Sequence, residues 1–407
     1  MHILFVSEYF PPKVMGGGEI NLFLLAKSLV KNRIKVSVLT SHFKGLKKYE
    51  KIEGIDVFRR LKSGNKVDNV LDSITRSLVF PKSVKEEMKR INKEIDLDII
   101  HFIGSSIISS DICKKIKKRC FATIESYPAI CPKGDLIYKG KQICSYECTF
   151  PIFLSCITHS NEIGKIKNRF YLRFNPLFWL YLYLYHIRLK RSLKNCNLIA
   201  ISEFISELLK KRGLKSKIVP NIIEILNFHT DKNNKNDKKI KLLYLGSLTK
   251  YKGPDILLKA IKDLDCRLDI YGEGILKKEL MKIIKENKLD AKIHPNVDYR
   301  HIPKIYADSD MIIFPSLWPE PFGRIPIEAM AAGKPVIATD SGAIKETVKN
   351  RGLLVKPGSI IDLKQAITLM IKDKKLRYRL AEKGREYAQN YSSDNIIKKL
   401  IKIYEEK

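Results

Sequence analysis

The run from Phe314 to Glu346, FPSLWPEPFGRIPIEAMAAGKPVIATDSGAIKE, constrains the fold more than any other part of the chain. With the residues just before it, SDMIIFPS reads as a buried strand. A loop follows with Glu320 and the turn Pro321-Phe322-Gly323, and then a helix that holds Glu328, runs through EAMAA and stops at Gly333. KPVIATD makes a second strand, and Ser341-Gly342 turns the chain into another helix. A strand–loop–helix–strand unit builds a parallel sheet, and its loop lies at the carboxyl end of the strand, where open α/β sheets bind ligands. Backbone N–H groups of Gly323, Arg324 and Ile325 at the helix start carry partial positive charge, which suits a phosphate.

The alternation of strand and helix extends on both sides. In the first half, strands are expected at 1–7, 35–40, 97–104, 120–125 and 198–201, with helices at 19–31, 83–94, 177–194 and 202–212. The polar stretch HTDKNNKNDKK then has no apolar period and reads as a linker. From Ile240 the alternation resumes: IKLLYLG, a helix from Gly253, RLDIYG, a helix from Leu276, AKIHP, a helix from Ile302, and the opening unit. The expected class is α/β, with two Rossmann-like domains. Residues 1–228 are expected to form an N-terminal Rossmann-like domain with a Cys-bearing insert, 229–239 the linker and 240–392 a C-terminal Rossmann-like domain. The last helix, 393–407, has no strand after it and could cross back to the first half. A chain of 407 residues suits two domains.

Lys and Arg outnumber Asp and Glu, 76 to 44, a formal charge of +32. That excess reads either as a solvated Lys-rich surface or as attraction to a polyanion. No nucleic-acid-binding motif is visible, which turns the second reading to an anionic membrane face or a phosphorylated lipid and away from nucleic acid. MHILFVSEYFPP does not read as a signal peptide, having a short apolar run and no basic leader. Phe178–Tyr185, FWLYLYLY, is the most apolar window, but Arg173 and Arg188 bracket too few residues to span a bilayer. It reads as a buried helix or as an interfacial one with rings at headgroup depth. The expected location is cytoplasmic, peripheral to the inner face of the membrane.

Three loops of the second half each follow a strand. In Gly246–Gly253 a glycine ends the strand and another opens the helix, so Lys252 projects near the helix N-terminus; the P-loop pattern is absent. Tyr271-Gly272-Glu273-Gly274 allows close backbone approach at the same sheet edge. The third loop is Glu320–Glu328. Together they describe a crevice for a diphosphate-bearing ligand, with Lys252 as cation and Glu328 as acceptor for ribose hydroxyls. Paired carboxylates also suit a glycosidase, which needs no phosphate cradle.

Glu320-Pro-Phe-Gly-Arg-Ile-Pro-Ile-Glu328, followed by AMAAGKPV, resembles the paired-glutamate motif of the retaining glycosyltransferases of family 4. The likeness extends to Gly246–Gly253, Ile270–Gly274 and YFPPKVMGGGEIN near the start. It implies the GT-B fold, two Rossmann-like domains facing across a cleft that holds a nucleotide sugar. Glu328 would bind the ribose, Lys252 the donor diphosphate and Glu320 the donor-sugar hydroxyls, while Gly16, Gly17 and Gly18 would form a loop facing the phosphates. Lys, Arg and helix N–H groups would neutralise the leaving group, so no divalent metal and no cofactor is implied. The partners implied are the nucleotide-sugar donor and a lipid-linked or saccharide acceptor, joined by front-face displacement with retention.

The chain departs from the family pattern at three positions. Ser247 stands where an Arg is common, and Arg324 is the candidate to compensate. Glu125 and Ser126 stand where relatives carry His-Asp, leaving His101 as the nearest imidazole on the sequence. Cys131, Cys144, Cys148 and Cys156, with His159 behind them, are spaced more loosely than a zinc ribbon; a structural metal, a disulfide and free thiols all stay open. A sugar-nucleotide epimerase or phosphorylase, and a nucleotide-binding scaffold without activity, are the competing readings.

Overall fold

The computed structural model describes residues 1–63, 70–140, 142–145, 147–159, 175–225 and 239–406, so the 229–239 linker lies almost wholly outside the described residues. The chain divides into two compact units, one made of 1–220 with 396–407, the other of 221–395. The division falls at Pro220–Asn221, eight residues before the expected end of the first domain. Residues 221–225 belong to the second unit because Ile222 and Ile223 bond to Arg324 and Tyr391 there.

The strands of the first unit are β1 (His2–Val6), β2 (Lys35–Ser41), β3 (Tyr49–Ile52), β4 (Ile55–Leu61), β5 (Ile99–Ile103), β6 (Arg119–Ile124), β7 (Ile137–Tyr138), β8 (Gln142–Ile143), β9 (Asn197–Ala200) and β10 (Ser216–Ile218). Eight of them form one sheet in the order β10-β9-β6-β5-β1-β2-β4-β3, parallel except for β3, which folds back on β4. β7 and β8 pair separately as a small hairpin in the insert. Strands β1 and β5 are apolar nearly throughout, as strands covered on both faces must be. The β3–β4 hairpin was not expected. Its signal is Glu53-Gly54, both at positive φ, between two runs of residues that favour strands.

Helices α1 (Gly17–Lys31), α2 (Val70–Glu94), α3 (Ile112–Ile116), α4 (Phe150–Thr158), α5 (Pro176–Leu193) and α6 (Glu203–Lys210) belong to this unit. α2 begins thirteen residues earlier than the sequence suggests, because Pro81 sits inside it rather than before it.

The second unit holds β11 (Ile240–Leu245), β12 (Cys266–Tyr271), β13 (Ala291–His294), β14 (Met311–Phe314), β15 (Val336–Thr339) and β16 (Leu353–Val355), all parallel, in the order β13-β12-β11-β14-β15-β16. Around it lie α7 (Pro254–Ala260), α8 (Lys277–Glu286), α9 (Ile302–Ala307), α10 (Arg324–Ala331), α11 (Ile344–Val348), α12 (Ile360–Lys372) and α13 (Lys374–Ala388). Its core joins Leu242, Tyr244, Leu257, Leu268, Ile270, Met311, Ile313 and Ile337 of sheet and helix to Leu363, Ile367 and Met370 of α12. The last helix, α14 (Ser393–Glu405), lies in the first unit from Ile396 onward. Among the described residues no helix is long and apolar enough to cross a membrane.

Candidate active site

The three loops of the second unit are tied to one another by main chain. The N–H of Gly246 donates to Tyr271 O (3.1 Å) and that of Leu248 to Glu273 O (2.9 Å); Leu317 N–H donates to Tyr251 O (2.7 Å) and Ala343 N–H to Glu320 O (2.8 Å). A side chain at Gly272 or Gly274 would collide with the carbonyls of Gly246 and Leu248. The close backbone approach expected at those two glycines is made by the neighbouring loop. Gly253 likewise faces the Pro315 carbonyl and takes a left-handed conformation, φ 65°. Ser247 is exposed, and its carbonyl accepts the Tyr244 hydroxyl at 3.0 Å.

This lacing brings Lys252 and Glu320 into an ion pair although 68 residues separate them. Glu320 is buried and also accepts from Ser316 Oγ at 2.8 Å, while the ammonium of Lys252 lies 5.0 Å above the Trp318 ring. A cation with a carboxylate on one side and an aromatic face on another is positioned rather than free to sweep.

Gly323, in a left-handed conformation (φ 81°), turns the chain into α10, so that Arg324 and Ile325 open the helix and Glu328 lies one turn on. Glu328 is buried and receives three donors: Arg324 Nε at 2.6 Å, the Tyr299 hydroxyl at 2.8 Å and the Tyr306 hydroxyl at 3.3 Å. Arg324 also donates to Tyr299 Oη (2.8 Å) and to the Ile222 carbonyl (3.2 Å). The guanidinium expected to make up for Ser247 is therefore held by Glu328. Burial, with the Glu328 charge second, raises both tyrosine hydroxyls above their ordinary range and keeps them donors. Tyr299, Tyr306 and Ser316 escaped the sequence reading, because nothing in their spacing marks them.

In the first unit, α1 begins at Gly17 with Gly16 before it, so the three glycines lead into a helix whose Glu19 accepts the Gly16 N–H at 2.9 Å. Glu125, just after β6, meets this turn: a methyl at Gly18 would lie 2.5 Å from Glu125 Oε2. Glu125 Oε1 is buried without a hydrogen-bond partner. Burial, then the Glu19 charge, push its carboxyl up to about 7 against the lowering effect of Asn21. Two sequence candidates, Gly18 and Glu125, are thus brought together.

His101 is not. It points into the core of β5, fully buried, with Nε2 on Thr123 Oγ1 at 2.7 Å and Nδ1 on the Tyr404 hydroxyl. Burial takes its pKa down to about 3. With both ring nitrogens engaged by protein it is a structural imidazole, which corrects the expectation that it binds substrate.

None of the eight cysteines is in a disulfide. Cys131, Cys144, Cys148 and Cys156 line one small cavity together with Arg212, and among the described residues no group of three or more His, Cys, Asp or Glu is arranged to hold a metal.

Residues 227–387 match the family described as glycosyl transferases group 1. An uncharacterised glycosyltransferase of Methanocaldococcus jannaschii is 24% identical, over 99% of this chain and 98% of its own. Among solved structures, sucrose-phosphate synthase from Thermosynechococcus elongatus superposes with a TM-score of 0.76 at 19% identity, covering 99% of this chain and 98% of that one. HepE of Anabaena, solved in complex with UDP, gives 0.67 at 17% identity over 99% of both chains. The fold is that of its GT-B structural neighbours, and the match to the group 1 glycosyl transferases falls within the second unit.

Proposed function

We propose that the protein transfers a hexose-type sugar from a nucleoside-diphosphate donor to a lipid-linked or saccharide acceptor, with retention of configuration, as a family 4 enzyme. The observation that carries this reading is the pairing of Lys252 with Glu320 beside the start of α10, one turn from Glu328. Glu328 would take the ribose hydroxyls, giving up a tyrosine donor to do so. Lys252 and the N–H groups of Gly323, Arg324 and Ile325 would take the diphosphate, and Glu320 the donor-sugar hydroxyls.

In this mechanism the bond from the anomeric carbon to the diphosphate oxygen breaks on the face where the acceptor oxygen arrives. The departing oxygen receives the acceptor's proton, and the ammonium of Lys252 offsets the charge that builds there. Preorganised charge of this kind contributes about 10²–10³ in rate. Gly17, Gly18 and Glu125 would bind substrate, a protonated Glu125 donating a hydrogen bond in place of an imidazole. The leaving group is stabilised without a divalent metal. The high positive charge suits work at the inner face of the membrane.

The test is a thermal-shift series with UDP, GDP, ADP and their sugars, since a ligand of the folded state raises the melting temperature with occupancy. One nucleotide series is expected to raise it for the wild type and at least about tenfold less effectively for Glu328→Ala. If none does, the reading falls. NMR of the product anomer and activity in EDTA then test retention and metal independence.

A further inference from the structure

Three cysteines far from the candidate site in sequence and function meet at the amino edge of the first unit's sheet. Cys120 is the second residue of β6, Cys196 directly precedes β9, and Cys113 lies on α3. β6 and β9 are parallel neighbours whose register begins at Phe121 with Asn197, so Cys120 and Cys196 stand side by side one residue earlier. Adjacent strands run about 4.8 Å apart, inside the range of about 4.4–6.8 Å between Cα atoms that a disulfide spans. Both thiols are free, and their Sγ atoms are 2.6 Å apart. Neither strand has to move for them to bond.

Hydrogen bonds hold the surrounding elements in place. Ser110 Oγ, just before α3, donates to Ser192 O at 2.7 Å, and Asn195 Nδ2 donates to Ser110 Oγ at 3.3 Å. The turn after α5 that carries Cys196 is thereby fixed on the approach to α3. Burial is unequal: Cys113 and Cys120 are 2% and 6% exposed, while Cys196 is only half-buried. Hydrogen bonds with Cys113 and then Cys196, followed by burial, keep the Cys120 thiol protonated well above its ordinary range. A reagent in water therefore meets Cys196 first, with Cys120 waiting behind it.

We propose that Cys196 and Cys120 form a redox-active dithiol, which a low-molecular-weight disulfide converts into an intramolecular cross-link by two exchange steps. In the first, the Cys196 thiolate attacks one sulfur of the small disulfide. A mixed disulfide forms, and one small thiolate leaves and takes up the proton that Cys196 released. In the second, Cys120 attacks Cys196 Sγ, and its proton goes to the second small thiolate as the mixed disulfide breaks. The two protein thiols lose two electrons, and the small disulfide is reduced to two thiols. Excess small thiol runs both steps backwards. The new bond closes the stretch 121–195, which holds the Cys-bearing insert and α5, into a loop tied at its base. Glu125 follows the carboxyl end of β6, so the bond forms at the other end of that strand and clamps the fold without entering the candidate site. This goes beyond the transferase reading and does not depend on it.

The test incubates the reduced full-length protein with glutathione disulfide, quenches in acid, alkylates with N-ethylmaleimide in denaturant and maps the peptides by mass spectrometry. Wild type is expected to give a peptide pair joined through Cys120 and Cys196 that dithiothreitol separates. The cross-linked protein should melt at least about 5 °C higher than the reduced one. In Cys196→Ser, oxidation of Cys120 should be at least about tenfold slower, because the oxidant no longer has its point of entry. In Cys120→Ala, reaction should stop at a glutathione adduct on Cys196. A wild type that carries only that adduct, a Cys120 that pairs with Cys113 instead, or a Cys120 oxidised equally fast in Cys196→Ser each overturns the proposal. So does a cross-linked protein that melts no higher. The wild-type peptide map decides the pairing by itself, whether or not the Cys120→Ala variant folds.

Discussion

Glu328 in the second unit and Glu125 in the first are both withdrawn from water, yet one receives an arginine and two tyrosine hydroxyls while the other leaves an oxygen bare. Each follows from local construction. α10 puts Arg324 one turn before Glu328 on the same face, and Tyr299 and Tyr306 close over the pair. Glu125 follows a strand against a glycine turn, where Asn21 donates to it but one oxygen stays bare and Glu19 adds a like charge. The second unit therefore holds its carboxylate in a fixed set of donors, and the first holds a group poised between protonated and ionised. Fixed geometry suits recognition of a constant ligand part; a poised group answers to pH and to what binds.

The sharpest way to break this contrast is to remove the arginine. Arg324→Leu strands a buried carboxylate and is expected to cost about 3–5 kcal/mol in urea unfolding, with much of it recovered in Arg324→Leu/Glu328→Leu. Lys252→Ala is next: transfer should slow by about 10²–10³, read from initial rates at saturating acceptor. If the rate is unchanged, the pair with Glu320 is structural and the charge assignment is wrong.

Glu125→Gln should act with the opposite sign. The folded carboxyl titrates near 7 against 4.5 in the unfolded chain, so as pH rises the unfolded chain loses its proton first. Stability of the wild type should fall between those values and level off above. The variant should then be more stable by about 3 kcal/mol above pH 7 and equal to wild type at pH 4, seen in melting curves across that range. Gly18→Ala is expected to give the smallest effect, about 1 kcal/mol, because the added methyl presses on the end of a side chain. Combining it with Glu125→Ala should erase that cost.

Much of the second unit was legible because its period is regular. Parallel strands such as MIIF and VIAT read as continuous apolar runs, and glycines at positive φ mark the loops between them. Glu320 and Glu328 stood out by spacing. Their partners did not, since Tyr299 and Ser316 reach them through tertiary folding, across 29 residues for the one and four for the other, with no pattern linking them. His101 misled for the same reason: a strand-end imidazole looks available until Tyr404, 303 residues away, closes on it. The glycines of 272–274 showed that a close approach was needed, but sequence does not say whether ligand or backbone makes it.

That distant tyrosine has a consequence for how the molecule is made. Residues 221–395 are contiguous, so they can collapse as soon as they leave the ribosome. The sheet begun by the first 220 residues has to wait for 396–407 before its imidazole and Phe121 are sealed. The earliest translated half is thus the last to be finished, and until then its interior is open to chaperones and proteases.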